Sequence, residues 1–192
     1  LQGLDAPAGA LVIMDRGIAT EANINWLIEH HYRYLVVSRE RTRQFDLAQS
    51  VDVTTASDQT VHLQRVVSDD GSEVRLYCHS EVRQEKETAM TDRFSQTFEN
   101  GLAKIAAGLL KPRGEKNRDK LLQRIGRLQE KSHGIGRHYR IELTPAEGAT
   151  VTGITWTKEP IDGTQLTLPG VYCLRTNELH WDVPPSGRPT PS

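Results

Sequence analysis

Asp15 stands directly behind a short apolar run, Ala10 to Met14. Such a run reads as a strand buried on both faces, which places the carboxylate at the carboxyl end of a core strand. In open α/β sheets, reactive groups gather beyond that end. A carboxylate there can hold a hard cation such as Mg²⁺, which takes oxygen ligands. Metal-assisted phosphoryl transfer with two metals needs further carboxylates converging from other elements. The plainer alternative is that Asp15 starts a turn or caps a helix, and spacing alone leaves both readings open. Arg16 follows at once; it can meet a phosphate or pair with a local acid.

A second group with chemical potential is a run of cations. The formal net charge is −1, but it is unevenly spread. Residues 101–140 carry 11 Lys/Arg against 3 Asp/Glu, while both flanking regions carry more acids than bases. Lys111, Arg113, Lys116, Arg118 and Lys120 cluster around a helix break, and Arg124, Arg127 and Lys131 follow at helical spacings. Such clusters contact nucleic-acid phosphates, with an affinity that falls steeply with salt. They also occur as ordinary solvated helix faces.

The remaining chemistry-bearing residues point to structure. His30 and His31 are adjacent and face different ways, so they do not share a metal easily. His62 and His79 fall on a predicted hairpin. Trp156 and Trp181 can stack on bases or serve as packing anchors. Cys78 and Cys173 are far apart and lack the clustering of a zinc site, which fits buried, reduced thiols of a cytoplasmic protein.

The elements that must position these groups follow from periodicity and caps. Thr20 can N-cap a helix with Glu21 in its first turn, and Ile24, Leu27, Ile28 and His31 fall on one face. Tyr32–Ser38 is a second apolar strand, which completes a β-α-β unit with parallel strands. Residues 39–59 are polar and carry no clear pattern. Val61–Val67 and Val74–His79 alternate around Ser68-Asp69-Asp70-Gly71 and predict a hairpin. Ser80 can cap a helix reaching about Leu110, which Pro112 and Gly114 break. A further helix is predicted from Glu115 to Ser132, with Leu121, Leu122, Ile125 and Leu128 inward. Strands are expected at His138–Leu143, Thr150–Thr157 and Val171–Arg175, and the proline-rich end, residues 183–192, reads as extended or disordered.

Three blocks carry a resemblance. Leu11 to Thr20, with Asn23, Ile24, Trp26, Leu27, Tyr32, Arg33 and Tyr34, resembles the second-aspartate region of DDE-type insertion-sequence transposases. Lys111-Pro112-Arg113-Gly114, with Arg124 to Leu128, resembles the helical insertion of one branch of that family. Gly170 to Asn177 resembles the strand that resumes its catalytic core. Order and spacing agree from about residue 8 to residue 182.

The resemblance implies an α/β fold: a partial ribonuclease-H-like core with a mixed insertion of β-strands and long helices. In this scheme residues 8–40 form the core β-α-β segment, 41–165 the insertion, 166–182 the return to the core, and 183–192 the tail. It further implies Mg²⁺-dependent phosphoryl transfer in DNA transposition, with double-stranded DNA at transposon ends as partner and homodimers in the complete family. Only Asp15 carries over as a catalytic residue and metal ligand. Asp5 does not match the family's first aspartate, and Glu178 and Asp182 read as loop residues. The expectation is therefore a transposase fragment, inactive alone, with weak or no metal binding. Its DNA contacts would be Arg16, Lys111, Arg113, Lys116, Arg118, Lys120, Arg124 and Arg127. The alternative is a non-catalytic DNA-binding or interaction module using the basic helices of residues 101–140. No apolar run approaches the roughly 20 residues of a membrane span.

Overall fold

The computed structural model describes residues 6–180. The expectations for Asp5, Trp181, Asp182 and the proline-rich end lie outside the described residues. The protein is mixed α/β, with three α-helices and mostly antiparallel strands. The described residues divide into two compact units, residues 6–85 with 163–180, and residues 86–162. Among the described residues no helix is long and apolar enough to cross a membrane.

In the first unit, β1 (Leu11–Met14), α1 (Glu21–Glu29) and β2 (Arg33–Val37) form the expected β-α-β unit, with β1 and β2 parallel. Four more strands extend the sheet: β3 (Ser50–Thr54), β4 (Thr60–Val67), β5 (Val74–Ser80) and, from far along the chain, β8 (Val171–Thr176). The strand order is β1-β2-β8-β5-β4-β3, and every pairing after the first is antiparallel. The late strand β8 therefore lies in the middle of the sheet, between β2 and β5.

Side-chain alternation sends the apolar residues of this sheet to opposite faces at its two ends. On one face, Met14, Tyr34 and Val36 pack with Ile24 and Leu27 of α1. On the other, Val74, Leu76 and Cys78 pack with Leu63, Tyr172, Leu174 and Leu179. This arrangement corrects the expectation for the first strand. β1 is an edge strand rather than one buried on both faces, and Ile13 is 71% exposed on the face that α1 does not cover. The helix face is also narrower than predicted. Ile28 is 49% exposed, and His31 has left the helix with a φ of 59°.

A polar network ties these strands together. The Glu73 carboxylate, buried just before β5, accepts from the Arg175 guanidinium of β8 at 2.8 Å and from the Tyr34 hydroxyl of β2 at 2.7 Å. Arg175 also reaches Glu21 of α1 at 2.5 Å. Burial works against the charge on Arg175, but the two carboxylates outweigh it and raise its pKa. Burial, then the bond to Glu73, pushes the Tyr34 phenol above its usual range.

The second unit holds most of α2 (Glu81–Leu109), then α3 (Arg118–Glu130) and the hairpin of β6 (Tyr139–Pro145) and β7 (Val151–Lys158). Phe98, Leu102, Ile105 and Leu109 of α2 pack with Leu121 and Ile125 of α3 and with Tyr139, Val151 and Ile154 of the hairpin. α3 starts three residues later than predicted because Asn117 is its N-cap, its side chain accepting from the Lys120 amide at 3.1 Å. Leu122, expected inward, is 42% exposed. The turn between α2 and α3 demands Gly114: a Cβ there would lie 1.8 Å from the backbone oxygen of Gly108.

Buried polar groups make stability sensitive at two places. Removing Glu73 leaves the Arg175 charge facing only Glu21, so Glu73→Ala is expected to cost about 3 kcal/mol; urea unfolding would measure it, and an unchanged midpoint would contradict the role given to the pair. In the second unit, burial and then the charges of Arg137 and Lys158 depress the pKa of His138, whose Nδ1 accepts from the Ile161 amide at 3.0 Å. The unfolded chain therefore takes up this proton first. Its stabilising contribution is complete above the unfolded pKa of about 6.5 and is lost as pH falls through the depressed folded value. A His138→Gln variant should flatten that part of the stability–pH curve, measured as unfolding midpoints between pH 7 and 5.

Candidate functional site

Asp15 sits just past the carboxyl end of β1, and its surroundings are set by a tight local turn. Its Oδ1 accepts from the amides of Gly17 at 2.8 Å and Ile18 at 3.3 Å, and its carbonyl accepts from the Ala19 amide at 3.2 Å. The chain then enters α1 through Thr20, whose hydroxyl accepts from the Asn23 amide at 3.2 Å. Asp15 is thus a turn-forming residue with an exposed carboxylate, and Oδ2 makes no hydrogen bond among the described residues. The turn role is in place, and it leaves one oxygen open to solvent.

Three other acids of this unit, Glu21, Glu73 and Glu178, are committed elsewhere. Glu21 and Glu73 hold Arg175. Glu178 pairs with Arg33 at 2.9 Å, and Arg33 opens β2 opposite Leu11, the first residue of β1. Because β1 and β2 are parallel, Glu178 lies at the amino end of the strands and Asp15 at the carboxyl end. A strand rises about 3.3 Å per residue, so roughly 10 Å separates the two ends. Among the described residues, no three His, Cys, Asp or Glu side chains are grouped so as to hold a metal ion. Arg16 is exposed and forms no ion pair among the described residues.

The basic cluster resolves into two parts. Lys111, Arg113 and Lys116 belong to the connection between α2 and α3, where all three are exposed. On α3, Leu121 and Ile125 face the core. Lys120, Arg124, Arg127 and Lys131 follow one another at intervals of four, three and four residues, so they share one exposed face beside that core stripe. Arg118 projects on the other side of the core stripe. Lys120 is bound to Glu115 at 3.2 Å, and its amide and the Asn117 amide help fix the start of the helix. The Glu115 carboxyl is held below its usual pKa by the Asn117 amide first and by Lys120 second. The acids of the helix, Asp119 and Glu130, fall on the side opposite the core rather than within the stripe.

The aromatic and sulfur groups take structural positions. His62 and His79 face each other across β4 and β5, with ring centroids 5.8 Å apart, and bind Asp52 and Gln84 respectively at 2.6 Å. His30 stacks on Trp26. Trp156 packs against the core of the second unit. Cys78 pairs in register with Tyr172, and Cys173 with Tyr77, so the two thiols project from opposite sheet faces. Burial pushes both thiols up to about 12, which keeps them protonated at neutral pH.

Residues that sequence reasoning missed line a cleft at the carboxyl end of β2. Arg43, Arg83, Ser38, Thr42 and Glu40 meet Arg16 there. Three of the five come from residues 39–59, which carry no periodicity. Nothing in the local sequence announces that this polar segment returns to the strand ends. Comparison of the chain with known protein families, with curated proteins and with solved structures finds no match.

The geometry separates the two readings of Asp15 experimentally. Asp15→Asn keeps an acceptor for the Gly17 and Ile18 amides, whereas Asp15→Ala strands them. The alanine variant is expected to lose about 1 kcal/mol and the asparagine variant only a few tenths. Equal stability of both variants and the parent, by chemical denaturation, would remove the turn role.

Proposed function

We propose that this chain is an interior portion of a DDE-type insertion-sequence transposase, and that its described residues handle DNA without cutting it. The observation that carries the reading is the exposed carboxylate of Asp15 at the carboxyl end of a strand in a parallel β-α-β unit. In this reading, β1, α1 and β2 belong to a ribonuclease-H-like core. The intervening strands and helices are the insertion, and β8 is the strand that rejoins the core. Two further observations support it. β8 pairs directly with β2 after a long excursion of the chain. The outer edge of β1 is unpaired among the described residues and carries Ile13 and Leu11 exposed, a surface suited to another strand.

The described residues fit Mg²⁺ only in part. Asp15 offers oxygen ligands, but the chemistry needs at least one more carboxylate beside it, and Glu21, Glu73 and Glu178 are bound to arginines. No reaction step is therefore assigned to these residues alone. The basic face of α3 favours a second reading on its own account: a DNA-binding module that needs no chemistry, in which four cations contact phosphates.

One pair of measurements tests both readings. Binding of the full chain to duplex DNA should weaken steeply with salt. Replacing Lys120, Arg124, Arg127 and Lys131 with Gln should lower affinity by at least about tenfold, with a log–log salt slope shallower by roughly 0.9 for each phosphate left without its cation. An unaltered affinity would eliminate the helix as the binding surface. With Mg²⁺ or Mn²⁺, supercoiled plasmid should stay intact. Nicking that vanishes in Asp15→Ala would overturn the non-cutting part of the proposal.

A further inference from the structure

A cavity of about 220 Å³ opens in the second unit between the middle of α2 and the end of α3. Its apolar lining comes from Phe94 and Phe98, one turn apart on α2, and from Leu128 of α3. Arg93, Lys131 and His133, all exposed, complete one side of it. Among the described residues no carboxylate lines this cavity.

The His133 ring is held in place. Ser132 donates to the Gln129 carbonyl at 2.6 Å and accepts from the Gly136 amide at 2.8 Å, which closes the turn after α3. His133 follows with a φ of 52°, a left-handed conformation uncommon for a residue with a β-carbon. Such backbone persists where its surroundings over-determine it, and ligand clamps are one such place. The ring stacks on Phe94, with centroids 4.4 Å apart and planes 22° from parallel. The Arg93 guanidinium lies over the same Phe94 ring, 5.6 Å from its centre. Lys131 ends the exposed basic face of α3. Arg93 and Lys131 enter no ion pair among the described residues.

We propose that this cavity binds a nucleotide, its base against the Phe94–His133 wall and its phosphate on Arg93 and Lys131. The lining makes two demands at once. A bare anion would leave the aromatic surface in water, and an uncharged ring would leave two cations without counter-charge. A nucleotide carries a π-face and an anion a short linker apart, and both kinds of contact are favourable here. Size agrees: the space is many times the roughly 10–15 Å³ that one water needs, enough for a planar ring system. The site goes beyond the DNA-handling reading, since it uses neither Asp15 nor the strand ends of the first unit.

Nuclear magnetic resonance of the full chain titrated with adenosine 5′-monophosphate, adenosine and inorganic phosphate tests the site. Saturable shifts with the monophosphate are expected at the amides of Thr97, Lys131 and His133. His133→Asn keeps a residue that tolerates the left-handed backbone and removes the ring. It should weaken the monophosphate and adenosine alike, by about tenfold. Arg93→Gln and Lys131→Gln, at exposed side chains, should each weaken the monophosphate about tenfold and leave adenosine unchanged. No saturable shift with the monophosphate, or equal affinity in the parent and all three variants, overturns the site. Inorganic phosphate binding as tightly as the monophosphate overturns the place given to the base. A single-stranded oligoadenylate that shifts the same amides and is displaced by the monophosphate would identify a nucleic-acid strand as the source. Shifts by the monophosphate alone would identify a free nucleotide, and the site stands with either source.

Discussion

The Glu73–Arg175 pair is the interaction on which the first unit depends. It joins residues 102 positions apart, and its Glu73 carboxylate is buried. β8 must enter between β2 and β5, and its register also decides which face receives Tyr172 and Leu174, which pack with Val74, Leu76 and Cys78. A one-residue slip would turn Arg175 to the opposite face and bury its charge without a partner. The requirement that Glu73 and Arg175 meet therefore selects one register. Tyr34 and Glu21 extend the same constraint to β2 and α1, so a single buried carboxylate coordinates four elements.

The second unit is organised by a different balance. α3 has only two buried apolar residues, Leu121 and Ile125, and its remaining surface is strongly polar. A helix this short draws most of its stability from packing and caps. Asn117 and Glu115 supply the cap, and the core of Phe98, Leu102 and Tyr139 supplies the packing. The cations are then free to gather on one exposed face, where their mutual repulsion is screened by water and salt. A face of that kind has a low energetic cost when solvated and a large gain when phosphates replace its counterions. This supports DNA binding without requiring any chemistry at Asp15.

Asp15 has a local structural role, and the proposed reading would add a functional one to the same residue. One carboxylate oxygen closes the turn into α1, and the other remains available. Glu21, Glu73 and Glu178 neutralise arginines instead. Glu178 is the clearest case. The sequence reads it as a loop residue, and the parallel pairing of β1 with β2 places it at the far end of the strands from Asp15.

The features legible in the residues themselves were local. Alternation marked the β4–β5 hairpin, the Thr20 cap marked α1, and the break at Pro112 and Gly114 marked the end of α2. These signals act over a few residues, where backbone geometry and side-chain spacing suffice. Long-range pairing settled the rest. β1 became an edge with Ile13 in solvent, because an apolar tetrapeptide reads alike whether one or both of its faces are covered. The arginine cleft assembled from the turn after β1, an unpatterned segment and a helix start, because only strand pairing across the chain brings those places together. Local periodicity carries no record of strand order, and strand order is what sets which charges meet.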